Sequence, residues 1–121
     1  MDTLPDYSLI YGLRDTDLTY MNELFAQRPD IEQVWLYGSR AKGTNRPGSD
    51  VDLALVGPDV SRDTVAHIHF TLEEDSPMPF FFDVLHLNTL SNQKLKAEIE
   101  RTARVLYQRG AVAQSEKPTD K

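Results

Sequence analysis

The chain has no cysteine among its 121 residues, which excludes disulfides and thiolate metal sites. Positive charge is also scarce. Thirteen Lys and Arg face nineteen Asp and Glu, a formal charge of −6, and the pI is near 4.9. That balance argues against direct nucleic-acid binding, which depends on neutralising many phosphates with basic side chains. Long apolar runs are missing too: the opening "MDTLPDYSLIYGLRDTD" carries early acids and no extended apolar core, so neither a signal peptide nor a membrane span is expected and the expected location is cytoplasmic. What remains is an ordinary globular composition, 40% apolar and 26% charged, enough for one domain with a single core. A separate substrate domain does not fit in that length, so a large substrate would be held by a partner or by the active site alone.

Periodicity divides the chain into an irregular N-terminal arm (1–15), a central domain (16–110) and a polar tail (111–121) expected to be disordered. From Thr16, the positions Leu18, Met21, Leu24 and Phe25 recur at helical spacing until Arg28-Pro29 closes the run. "EQVWLYG" (32–38) predicts a short buried strand, 39–49 a loop or short helical turn, and "DVDLALV" (50–56) a second strand. Ser61 is placed to cap a helix reaching about Asp75 with Val65, Ile68 and Leu72 on one face. "FFFDVLHL" (80–87) reads as a third strand, Ser91 as the cap of a helix to about Arg101 with Leu95 and Ile99 inward, and "RVLYQ" as a short final strand. The order predicts a small α/β (α+β) domain with one mixed sheet and helices packed on it.

The chemistry is concentrated in "YGSRAKGTNRPGSDVDLALV" (37–56). Alternation along the second strand sends Val51, Leu53 and Leu55 to the core and aims Asp50, Asp52 and Ala54 the other way. Two carboxylates one residue apart repel each other, and burying either is costly without a counter-charge. Asp83, between Phe82 and Val84 in the third apolar run, poses the same problem. If the two strands are neighbours, three carboxylates converge, a hard-oxygen set suited to Mg²⁺ accompanied by substrate phosphates. Gly38-Ser39 supplies a turn where backbone and hydroxyl can approach phosphates, and Arg40 and Lys42 add positive charge.

Gly-Ser followed after ten residues by Asp-x-Asp, with Arg40, Gly43 and Ser49 in place, resembles the signature of the DNA polymerase beta-like nucleotidyltransferases, and most of all the minimal nucleotidyltransferases. The resemblance spans roughly 16 to 109, with Asp83 where the family carries its third carboxylate. It implies transfer of AMP from ATP to a hydroxyl with release of pyrophosphate. By the same resemblance, Asp50 and Asp52 bridge two Mg²⁺ ions, and Asp83 binds one of them and helps deprotonate the acceptor. Gly38 and Ser39 would hold the β and γ phosphates with Arg40, and Lys42 nearby, as helpers. Members of the minimal family commonly pair with HEPN-domain RNase toxins and silence them by adding AMP to a tyrosine, which implies a HEPN partner and an antitoxin role.

Other readings stand beside this one. The acceptor could instead be a small molecule of the aminoglycoside kind, or the domain could neutralise its partner by binding alone. Asp75 is an alternative third acid, at a helix end, and Lys42 can be part of a solvated basic face. His67 and His69, two apart on a helix, cannot share a face and so do not form a metal pair. His86 points away from Asp83 and reads as structural. Trp35, Tyr37 and Phe80 to Phe82 read as core, with Tyr37 or Phe81 able to border a base and the "PMPFFF" run able to meet a partner.

Overall fold

In a computed structural model, residues 11–110 are described; most of the arm and the whole tail expected from the sequence lie outside them. Helix α1 (Asp15–Ala26) starts where the Asp17 carboxylate accepts a hydrogen bond from the Arg14 backbone N–H at 3.0 Å, satisfying a donor that the first turn would otherwise leave open. It buries Met21, Leu24 and Phe25, the apolar stripe expected from the spacing. Strand β1 (Gln33–Tyr37) leads directly into a one-turn helix α2 (Gly38–Lys42), and strand β2 (Val51–Val56) follows the loop.

Helix α3 (Arg62–Phe70) is capped by Ser61, whose hydroxyl accepts from Thr64 N–H at 3.1 Å. It continues as a wide turn through Thr71–Asp75, so the helical path ends at the expected residue with its last turn loosened. Strand β3 (Phe82–His86) runs into a 3-10 turn (Leu87–Thr89), helix α4 (Gln93–Thr102) and strand β4 (Arg104–Gln108). The cap of α4 is Asn92 rather than Ser91: its side chain accepts from Leu95 N–H at 3.1 Å.

The strands form one mixed sheet in the order β3-β2-β1-β4, with β1 antiparallel to β2 and β4 and with β2 parallel to β3. One face carries Val34, Leu36, Val51, Leu53, Leu55 and Phe82 and packs on α1 and α3, where Met21, Phe25, Ile68 and Leu72 meet it. Phe25 and Tyr107 add an edge contact at 5.7 Å that ties α1 to β4. Leu13 is fully buried in this core, so the end of the arm is irregular in backbone yet part of the packing. The opposite face carries Tyr37 and Ala54, flanked by Trp35 and Leu85, and packs on Leu87 of the 3-10 turn and on Leu95 and Ile99 of α4.

The aromatic run divides by strand parity. Phe82 is buried, whereas Phe81 is 72% exposed and is not core as expected. Trp35 is half-buried on the α4 side, its indole N–H donating to Gln33 at 2.6 Å. His86 is structural, with Nε2 against the Gly57 carbonyl at 2.8 Å; because a carbonyl only accepts, that nitrogen carries the proton. His67 and His69 are exposed, and His69 stands 3.5 Å from Glu73. No described helix is long and apolar enough to cross a membrane.

Ile99 is the one fully buried side chain that α4 contributes to the carboxylate-bearing face. Truncation of a buried Ile to Ala removes its transfer energy and leaves a cavity, so Ile99→Ala is expected to cost about 2–4 kcal/mol. Urea denaturation followed by circular dichroism measures this.

Candidate active site

The site is built where β1 ends and β2 and β3 begin. Tyr37 pairs across the antiparallel ladder with Asp52, and Asp52 lies beside Asp83 in the parallel ladder. Three side chains from three strands therefore form a row on the α4 face. The apolar residues at the next register step, Leu36, Leu53 and Val84, point to the other core. The hydrophobic pattern thus aims the acids without any polar contact having to do so.

Asp52 and Asp83 are direct neighbours in the ladder, and Asp50 stands at the rim, where its charge still acts on Asp52. Asp50 is exposed and precedes the strand, while Asp52 is half-buried and Asp83 exposed beside it. Among the described residues, no three acidic or histidine side chains stand close enough to enclose a metal ion. Asp75, the alternative third acid, ends the wide turn after α3 and lines a surface cleft between α1 and α3 with Tyr20 and His67. It takes no part in the row.

Burial, then the charges of Asp83 and Asp50, push the Asp52 carboxyl up to about 6, against a smaller opposing pull from Arg40. The row is short of positive charge. Its donors are hard oxygens, so the residues fit Mg²⁺, with Asp52 and Asp83 as the adjacent pair and Asp50 at the rim. Tyr37 donates its hydroxyl hydrogen to Asp83 Oδ2 at 3.1 Å. Burial first, and the charges of Asp83 and Asp52 next, raise the phenol above its ordinary pKa, so it stays a donor. Expected as core or as a neighbour of the base, Tyr37 takes a place in the row because the antiparallel pairing of β1 with β2 sets it opposite Asp52.

Gly38 is the tightest point. Its φ of +78° lies in the left-handed region, and a Cβ there would collide with Asp52 Oδ2. Only glycine lets the turn pass this close to the carboxylate. Ser39 follows, half-buried, and its carbonyl accepts from Thr44 N–H at 2.9 Å, closing the turn after α2.

Arg40 departs from the expected role of phosphate helper. Only 2% exposed, it directs its guanidinium into the protein. Nη1 donates to the Tyr11 carbonyl at 2.9 Å, Nη2 to the Ser49 carbonyl at 2.7 Å, and Nε is shared between the Ser49 and Asp50 carbonyls at 3.2 and 3.3 Å. The group also lies 4.6 Å over the Phe80 ring. Gly12 allows the approach, since a Cβ there would come within 2.6 Å of Nη1. A buried cation needs hydrogen-bond partners, and all three guanidinium nitrogens find them, Nε and Nη2 on the loop that carries Asp50 and Nη1 on the Tyr11 carbonyl. Lys42 also has a partner away from the row: its ammonium meets Glu98 of α4 at 2.7 Å, which lowers the Glu98 pKa. It links α2 to α4.

With this geometry in place, the family follows. A model described as "Polymerase beta, Nucleotidyltransferase" matches residues 20–111. The chain belongs to that nucleotidyltransferase family, and it is a nucleotidyltransferase by class. No match is found among curated proteins. Solved structures share the fold. One described as a toxin–antitoxin with AMP-PNP is 18% identical, with a TM-score of 0.60 over 81% of this chain and 76% of that one. A mutant of the toxin–antitoxin MntA-HpeT is 18% identical, with a TM-score of 0.62 over 86% and 80%. A third, described as a tri-AMPylated Shewanella oneidensis HEPN toxin in complex with MNT antitoxin, is 14% identical, with a TM-score of 0.53 over 81% and 78%.

Two outcomes test the site's electrostatics. Because the folded Asp52 binds its proton more tightly than an ordinary aspartate, the stability it contributes is full below about pH 4 and is lost as pH rises through about 6. Asp52→Asn is therefore expected to match wild type at pH 4 and to exceed it at pH 7. Discounted for the solvent screening of a half-exposed group, the gain is about 1 kcal/mol. Thermal melts across that range decide it. Arg40→Lys keeps the charge but not the planar fork, and is expected to cost about 2–3 kcal/mol in urea denaturation.

Proposed function

We propose that this protein moves AMP from ATP to a tyrosine hydroxyl of a partner HEPN RNase toxin, and so acts as its antitoxin. The observation that carries the chemistry is the row formed by Asp52 and Asp83 on adjacent parallel strands, with the Gly38 turn against Asp52. Support for the partner comes from the fold shared with an MNT antitoxin described in complex with a tri-AMPylated HEPN toxin, and with a toxin–antitoxin described with AMP-PNP.

In this reading, Gly38 and Ser39 hold the β and γ phosphates, and the glycine lets the backbone reach them. Arg40 shapes the loop from within rather than touching phosphate, and Lys42 sets α2 against α4. Asp83 accepts the proton of the attacking hydroxyl. The acceptor oxygen forms a bond to the α-phosphorus, the bond from that phosphorus to the β-bridging oxygen breaks in line, and pyrophosphate leaves. Two Mg²⁺ ions held by Asp50, Asp52 and Asp83 would neutralise the phosphates and acidify the acceptor hydroxyl. The negative net charge suits a protein acceptor better than a nucleic-acid template.

The test uses purified protein, Mg²⁺ and a candidate HEPN partner with ATP labelled at the α or the γ phosphate. Label from the α position alone is expected on the partner, and Asp50→Asn should reduce it at least about 100-fold, in line with loss of a metal-bridging carboxylate. Label from the γ position would replace AMP transfer with phosphorylation. Undiminished protection of cells by Asp50→Asn would replace catalysis with neutralisation by contact.

A further inference from the structure

The proposed chemistry leaves one polar group of the row without a role, the hydroxyl of Tyr37. Its ring is only 8% exposed and belongs to the cluster of Ala54, Leu87 and Ile99. A phenylalanine would fill that space as well, and a buried hydroxyl is tolerated only with a partner. The partner here is not backbone but the side chain of another member of the row. Starting from β1, the phenol passes over Asp52 on β2 and donates to Asp83 Oδ2 on β3 at 3.1 Å.

Asp83 needs such a restraint. It is an exposed side chain on the edge strand of the sheet, beside a half-buried like charge that repels it. An unrestrained carboxylate there would turn toward solvent. The phenol is held by α4 through Ile99, so its oxygen is a fixed point, and a hydrogen bond to a fixed donor selects one side-chain conformation and one carboxylate plane.

We infer that Tyr37 is a positioning residue that holds the Asp83 carboxylate toward Asp52 so that the pair can share a divalent cation. The inference rests on the proposed nucleotidyl transfer, but it concerns cation affinity and is read separately. Mn²⁺ is titrated into wild type and Tyr37→Phe in the presence of a non-hydrolysable ATP analogue. Free Mn²⁺ is counted by electron paramagnetic resonance, with AMP transfer measured in parallel.

The expected result is an approximately tenfold weaker Mn²⁺ midpoint for Tyr37→Phe, with analogue affinity unchanged. Combining it with Asp83→Asn should add nothing to the loss caused by Asp83→Asn alone, a non-additivity that a purely structural tyrosine would not produce. Incorporation of 4-aminophenylalanine at position 37, similar in shape and a weaker donor, should give an intermediate midpoint; it keeps the test open if loss of the hydroxyl unfolds the chain. Equal Mn²⁺ midpoints for all forms, with wild-type AMP transfer intact, overturn the positioning role and leave the proposed function standing. A wild type that neither binds Mn²⁺ nor transfers AMP overturns both.

Discussion

The register among β1, β2 and β3 is the constraint on which the site depends. Side chains alternate between the faces of a sheet, so sliding β2 by one residue would drive Asp52 into the α1/α3 core and turn Leu53 toward α4. What prevents it is apolar: Val51, Leu53 and Leu55 are fully buried beside Val34 and Leu36. At about 1.5–3 kcal/mol for each large aliphatic side chain, the three outweigh the repulsion and desolvation that the aspartates impose. The core thus holds the acids together without any contact of its own with them.

A second constraint acts on the loop between the Gly-Ser turn and the aspartates. Those residues have the composition of a flexible connection, with glycine, proline and asparagine as breakers. Arg40 fixes it by binding the Ser49 and Asp50 carbonyls at one end of the guanidinium and the Tyr11 carbonyl at the other. The charge that the family signature places next to the Gly-Ser turn is therefore used to shape the loop that follows it. Its position explains why residues just before α1, which are irregular in backbone, still matter to a site more than twenty residues away in sequence.

Much of this was legible before any coordinates. The element order, the inward face of β2 and the capping Ser61 follow from alternation and punctuation in the sequence, whereas the meeting of Asp52 with Asp83 is conditional on β2 and β3 being neighbours, which the structure supplies. Three features were not. The arginine's burial depends on Tyr11, Phe80 and Ser49 meeting in space, which no local pattern encodes. Phe81 looked like core because three consecutive phenylalanines hide strand parity; only the start of β3 at Phe82 tells which one faces out. Tyr37 reads from sequence as core or as a neighbour of the base, because its hydroxyl's partner lies two strands away and its place opposite Asp52 depends on a strand pairing that spans α2 and the following loop.

The two acids of the Asp-x-Asp also differ in hydration, and the difference follows from their position along one strand. From Ala54, fully buried under α4, the face opens to half-buried Asp52 and then to exposed Asp50 at the loop. Burial is the largest cause of Asp52's raised proton affinity, so a cation arriving there recovers energy that the fold has already spent on keeping the carboxylate charged. Asp50 stands exposed at the loop end of the same face. A sheet face that grades from dry to wet therefore supplies carboxylates of unequal hydration from a single Asp-x-Asp, which two equally exposed aspartates could not provide.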